Sequence, residues 1–176
     1  MLTDQSIALI NFVAAFLLWI YSNQLKREPF IGNFTVALLT GISIYLIGFY
    51  FQKSELLVLT YAIFAFFLNL IREILKDIED RQGDRKHGCR TLPIVLGFRK
   101  TKAVIFMIAG VFVSAIVIVM FKLDRPLIFY YFGGLGIFFT YFMYRIYIAD
   151  RKDHFTKLST IAKILMLVGT LSMGLL

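Results

Sequence analysis

The sequence runs to 176 residues, 59% of them hydrophobic and 17% charged, with a mean hydropathy of +0.77 and a formal net charge of +8. Soluble domains are about half apolar and a quarter charged, so this composition excludes one and points to an integral membrane protein. The single cysteine, Cys89, rules out an internal disulfide; with only His87 beside it no structural zinc site can be built, and it reads as a spectator.

Apolar runs occur at about 5–22, 31–52, 56–75, 102–121, 127–148 and 156–176. Each approaches the ~20 residues that carry a helix across ~30 Å of hydrocarbon. The runs are continuous and not alternating, so the expected fold is an all-α, polytopic transmembrane bundle of six spans, one domain over 1–176, and not a barrel. The first run has no Lys or Arg ahead of it and no small-residue cleavage site after it, so it is read as a span and not a signal peptide. Most links are short, but one extends from about 76 to 101, a length that usually signals function. Within it Gly83 and Gly88 are expected to loosen or end a helix, and Pro93 to start or redirect the next segment. "GGLG" at 133–136 is expected to serve close helix packing, and Asn33, Thr35 and Asn69 to make interhelical hydrogen bonds or substrate contacts. The nineteen phenylalanines read mainly as lipid-facing or core.

A net charge of +8 raises nucleic acid as a partner, but the distribution argues otherwise. Sixteen Lys and Arg fall in the links after runs one, three and five and at their helix ends, against Lys53, Lys122 and Arg125 on the other side. Such asymmetry places the rich side, including 76–101, in the cytoplasm, and nucleic acid is dropped. Both chain ends then lie outside, as if an odd number of spans preceded the first.

Five of the eleven acids fall within "REILKDIEDRQGD", 72–84. If the third span continues as a helix, Glu73, Asp77, Asp80 and Asp84 share about 60° of arc; Asn69 lies one turn deeper on the same stripe, and Glu79 points away. Like charges at this spacing repel, and their repetition near an apolar boundary calls for a cation. All-oxygen ligands suit Mg²⁺, which keeps waters and shares its coordination with phosphates. The interleaved Arg72, Lys76, Arg81 and Arg85 are placed to meet phosphate oxygens. The plain alternative is a solvated helix end held by pairs such as Asp77 with Arg81. His87 reads first as an exposed loop histidine.

"NLIREILKDIEDRQGDRKHGCRTLPIVLG" (69–97) resembles the second aspartate-rich motif of the UbiA-type intramembrane prenyltransferases, and "YSNQLKREPFIGN" (21–33) resembles a stretch that those enzymes carry at the cytoplasmic end of an earlier helix. Within the family, 76–94 looks closest to members that geranylgeranylate a glycerol phosphate. The resemblance implies Mg²⁺-dependent transfer of a polyprenyl group from a polyprenyl diphosphate to a lipid or aromatic acceptor, at the cytoplasmic face of a prokaryotic plasma membrane. It implies Asp80 and Asp84 as metal-binding aspartates, Asp77 as the acid one turn before them, Lys26 on the diphosphate and Tyr21 near the reaction centre. Arg72, Lys76 and Arg81 join Lys26 as diphosphate-binding candidates, with Asn69 and Glu73 supporting the metal ligands.

The family pairs this motif with an earlier one, resembling Asn-Asp-x-x-Asp-x-x-x-Asp, and nothing like it occurs here: before Glu73 the acids are Asp4, Glu28 and Glu55. Nine spans are usual in the family, and six starting outside correspond to its C-terminal two-thirds. The expectation is therefore a partial prenyltransferase, with a partner chain as one source of the missing helices. A cation- or proton-coupled transporter and a non-catalytic membrane remnant are the competing readings.

Overall fold

The computed structural model describes residues 4–51, 55–122 and 126–171. Six long helices occupy the expected places: α1 (Asp4–Asn23), α2 (Ile31–Tyr50), α3 (Glu55–Lys86), α5 (Phe98–Lys122), α6 (Pro126–Ile148) and α7 (Lys152–Leu171), with a short α4 (Leu92–Val95) and a 3₁₀ turn at Leu25–Arg27. Among the described residues there is no strand. Lys53 and Arg125 of the charge count, and the last residues of the sixth apolar run, lie outside the described residues.

Three helices, Ile31–Gly48, Glu55–Lys86 and Phe98–Lys122, are long and apolar enough to cross a membrane by length and composition. Of the other long helices, α1 contributes a shorter apolar segment, Ala8–Asn23, while α6 and α7 carry features that dilute such a window: tyrosines and glycines in α6, and Lys157 and Lys163 in α7. Large apolar side chains stand exposed on the outer helices, among them Phe12, Phe16 and Trp19 of α1, Phe121 of α5 and Ile137 of α6. Such an outer surface fits hydrocarbon and not water, as an integral membrane protein requires.

α3 is the central element. Its buried side chains, including Tyr61, Leu68, Ile71, Ile74 and Leu75, occupy several faces of the helix, because α2, α5 and α7 all pack against it. α2 runs antiparallel to it: Gly48 meets Val58, Thr40 Oγ1 accepts a 2.9 Å hydrogen bond from Asn69, and Asn33 reaches Asp77. α7 is also antiparallel, with Gly169 against the Phe64 ring and Thr156 bonded to Glu79. A methyl group at Gly48 would overlap Val58, so this glycine sets how closely the two backbones approach. Rings of Phe64, Phe67, Phe112, Phe132 and Phe139 fill the space between α3, α5 and α6 in tilted and edge-to-face pairs.

Two sequence expectations change. The link at 76–101 is mostly helical: α3 passes straight through Gly83 to Lys86, so Gly83 does not end it. The stop is Gly88, at φ +71, where Cys89 N–H bonds the Asp84 carbonyl and Gly88 N–H the Arg85 carbonyl, the paired bonds of a Schellman cap. The glycines of "GGLG" do not mediate close packing, since a Cβ at Gly133, Gly134 or Gly136 would meet no atom within 4 Å. Gly133 and Gly136 instead border an apolar cavity of about 350 Å³ that Phe64, Phe112 and Phe132 also line.

Gly48→Ala is expected to destabilise the detergent-solubilised protein by about 1–3 kcal/mol, because the β-branched, buried Val58 has no room to yield. Gly134→Ala, facing open space, is expected to be neutral or mildly stabilising. Equilibrium unfolding of both variants checks the pair, and equal effects would refute the close α2–α3 contact.

Candidate functional site

Where α3 leaves the apolar part of the bundle, at Arg72 and Glu73, its exposed face becomes one wall of a cavity of about 380 Å³. Glu73, Lys76, Asp77, Asp80, Gly83, Asp84 and His87 line that wall. The arc follows from 100° per residue, which keeps the four carboxylates of the stripe together and sends Glu79 to the opposite side. Facing them are Tyr21 from the end of α1, Lys26 from the 3₁₀ turn, Gly32 and Asn33 from the first turn of α2, Cys89 and Thr91 from the loop after α3, and Lys152 from α7.

Local backbone features hold these elements. Phe30 adopts φ 66, a left-handed conformation that a non-glycine side chain rarely takes, and this turns the chain from Pro29 into α2. A Cβ at Gly32 would stand 2.6 Å from the Leu25 carbonyl oxygen, so glycine lets the 3₁₀ turn lie directly on α2 and fixes where Lys26 emerges. On the other side, the Gly88 cap reverses the chain, and Arg90 N–H donates to the Arg27 carbonyl oxygen at 2.8 Å. The two loops are thereby stitched together beside the acids.

Asn33 Nδ2 donates to Asp77 Oδ2 at 2.8 Å, and Thr91 Oγ1 approaches Asp84 Oδ2 at 3.5 Å. Asp77 lies beyond the apolar segment of α3, and burial pushes its carboxyl up to about 7. The Asn33 hydrogen bond opposes that shift, and the charges of Asp84, Glu73 and Asp80 add to it. Asp84 is raised too, by burial and then by Asp80, against the lowering influence of Thr91, Lys26 and His87. Keeping Asp77 and Asp84 ionised is therefore costly without a counter-cation.

The donors fit Mg²⁺ in kind: they are hard carboxylate oxygens, with no cluster of soft ligands. Among the described residues no three His, Cys, Asp or Glu side chains converge to hold an ion. A closed protein cage of the zinc or calcium type is thus not built by the described residues, whereas an ion that keeps waters and shares substrate oxygens needs fewer protein ligands. The three lysines of the cavity, Lys26, Lys76 and Lys152, make no ion pair with a carboxylate of the described residues. Acids and bases thus share a cavity without neutralising each other, which leaves the acids for a cation and the bases for an anion.

Of the residues singled out from sequence, Tyr21, Lys26, Glu73, Lys76, Asp77, Asp80 and Asp84 come together. Arg72, Arg81 and Asn69 do not line the cavity. Arg72 turns aside to pair with the Glu73 carboxylate, and Arg81 is exposed about 40° of arc beyond Asp77. Asn69 is buried a turn deeper and donates to Thr40, so it serves helix packing. Asn33 was expected to bond between helices or to contact substrate, without a partner being named, and Thr91 and Lys152 were not among the sequence candidates for the site. Asn33 and Thr91 lie inside the quoted stretches 21–33 and 69–97, whereas nothing near Lys152 in sequence marks it.

The chain matches the UbiA prenyltransferase family over residues 1–167. It is 32% identical over 181 aligned residues to the digeranylgeranylglyceryl phosphate synthase of Methanosphaera stadtmanae, covering 95% of this chain and 61% of that protein. It is 46% identical over 109 residues to the synthase of the same name from Thermococcus gammatolerans, covering 61% of this chain and 38% of that one. A solved structure described as giving structural and mechanistic insights into digeranylgeranylglyceryl phosphate synthase in membranes superposes with a TM-score of 0.77 at 28% identity, over 93% of this chain and 58% of the other. The chain thus spans less than two thirds of the length of each. With the match reaching across nearly all of its residues and its fold shared at that level, this chain belongs to the UbiA prenyltransferase family.

Proposed function

We propose that this chain forms the second aspartate-rich half of a Mg²⁺-dependent prenyl transfer site, which takes a geranylgeranyl group from its diphosphate and passes it to a glyceryl phosphate lipid. The observation that carries this reading is the cavity at the end of α3, where Asp77, Asp80 and Asp84 share their wall with Lys76 and face Lys26, and no ion pair joins these lysines to a carboxylate among the described residues. The substrates are inferred from the product in the names of the similar synthases, digeranylgeranylglyceryl phosphate.

Asp80 and Asp84, with Asp77 held by Asn33, are the residues to hold Mg²⁺. When bound, Mg²⁺ neutralises the diphosphate as charge develops on it. Lys26 and Lys76 donate to the diphosphate oxygens, most strongly as the allylic carbon–oxygen bond breaks and its electron pair leaves with the diphosphate. The acceptor hydroxyl oxygen then bonds to the allylic carbon, and its proton passes to the departed diphosphate or to water. Tyr21, half-buried at the cavity wall, lies where it can shield and orient the allylic group. The apolar helices cross the plasma membrane six times, with the cavity on the cytoplasmic side, as the sixteen-to-three charge asymmetry supports. The other aspartate-rich set comes from sequence outside these 176 residues, on the same polypeptide or a partner chain. A transporter would need acids within the apolar depth of a helix; here they gather at the polar end of α3.

The test joins this chain to a segment that carries the first motif and follows transfer of labelled geranylgeranyl diphosphate to geranylgeranylglyceryl phosphate. Mg²⁺-dependent product is expected from the joined protein; none from it would sink the reading and favour a non-catalytic remnant. Within the active protein, Asp80→Ala and Asp84→Ala are each expected to lower the rate by about 100-fold or more, and Arg81→Ala, outside the cavity, to leave it nearly unchanged. Asn33→Leu, which strips Asp77 of its hydrogen-bond donor, is expected to weaken Mg²⁺ dependence about 10–100-fold, read as the Mg²⁺ concentration for half-maximal rate. An unchanged Mg²⁺ requirement would refute the supporting role of Asn33.

A further inference from the structure

The prenyl-transfer reading uses cations near α1, α2 and α3, yet one wall of the cavity belongs to α7 through Lys152. We propose that Lys152 binds the diphosphate of the prenyl donor, reaching it across Gly83, and that Glu79 is the positioning residue that keeps α7 in register for this contact. The proposal rests on the prenyl-transfer reading and adds to it a residue, a route and a role for the one acid of 72–84 that faces away from the stripe.

α7 runs antiparallel to α3, and the two are pinned at the polar end by Glu79. Thr156 Oγ1 donates to Glu79 Oε1 at 2.8 Å, and Ser159 Oγ lies 3.5 Å from Oε2. Lys152 stands four residues before Thr156, about 6 Å further along the axis. Because the helices are antiparallel, that is the level of Gly83 on α3, one turn beyond Glu79. Around α3, Gly83 lies between Glu79 and Asp80, about 40° from the first and 60° from the second. It has no side chain, and nothing lies within 4 Å of where a Cβ would be. The absence of a side chain at this point leaves an opening from α7 to the carboxylates, and both Gly83 and Lys152 border the cavity.

The charge environment fits an anion held from this side. Lys152 is the first residue of α7, where the helix dipole disfavours a cation, and it pairs with no carboxylate of the described residues. Lys26 acts on Asp84 from the 3₁₀ turn, so two ammonium groups on separate elements flank the Asp84 end of the stripe. A diphosphate attached to the aspartates through Mg²⁺ offers oxygens to both at once.

The test measures equilibrium binding of inorganic diphosphate and of geranylgeranyl diphosphate, with Mg²⁺, to the joined protein that carries both aspartate-rich sets, in detergent. Lys152→Ala is expected to weaken both by about 10-fold or more, and Lys152→Arg to restore most of the loss. Gly83→Leu, which closes the opening with Lys152 intact, is expected to weaken both as well. Glu79→Ala is expected to weaken binding in the otherwise unchanged protein but to add nothing in a Lys152→Ala background, a non-additivity that a general loss of folding would not produce. Diphosphate binding unchanged in Lys152→Ala would overturn the assignment. Unaltered protein that binds neither ligand would remove the prenyl-transfer reading itself, and this contact with it.

Discussion

Everything at the polar end of this molecule depends on α3 being one unbroken helix from the apolar middle of the bundle to Lys86. A helix advances 1.5 Å and turns 100° per residue, so burying Leu68, Ile71, Ile74 and Leu75 among α2, α5 and α7 leaves no freedom in where Asp77, Asp80 and Asp84 emerge. The core therefore aims the carboxylates. Their mutual repulsion, about a few tenths of a kcal/mol per neighbouring pair, is carried by packing that is far stronger.

The partners of α3 divide this work. α2 is drawn close by Gly48, joined through Thr40 to Asn69, and presents Asn33 of its first turn to Asp77. Its first turn accepts the 3₁₀ turn on Gly32, which delivers Lys26. α7 is joined by Gly169 at one end and Glu79 at the other, and brings Lys152. Lys102 closes the same end of the bundle from α5, donating to the Tyr147 carbonyl oxygen, pairing with Asp150 and lying over the Phe98 ring. Polar groups that would be costly in an apolar setting are thus spent on holding helices in register, and those lining the cavity are left facing one another across it.

Much of this was legible in the residues. Apolar runs of spanning length are visible without tertiary context because each helix facing hydrocarbon must be apolar on its own. The acidic stripe was legible because helical periodicity alone puts residues 73, 77, 80 and 84 on one face. Arg72 and Arg81 show where that reasoning stops: interleaving along the chain does not place a side chain in a cavity, and one turns to Glu73 while the other faces out. The glycines divide: Gly88 ends α3 as expected, but two other readings change. Gly83 looked like a break and lies within a continuous helix, and the run at 133–136 looked like a packing face and borders open space.

Sequence by itself determined that the chain is a helical membrane protein and that one helix ends in a ladder of carboxylates, because both follow from composition and from contacts within a few residues. Only the tertiary structure decided which cations share the ladder's cavity, that Asn33 supports Asp77, and that Glu79 and Lys152 belong to the same polar end. Those relations join residues far apart in the chain, and they depend on the crossing and register of α2 and α7 on α3. Side-chain volumes at positions such as Gly48, Val58, Phe64 and Gly169 set that register, and a pattern of apolar and polar letters does not encode how those volumes fit.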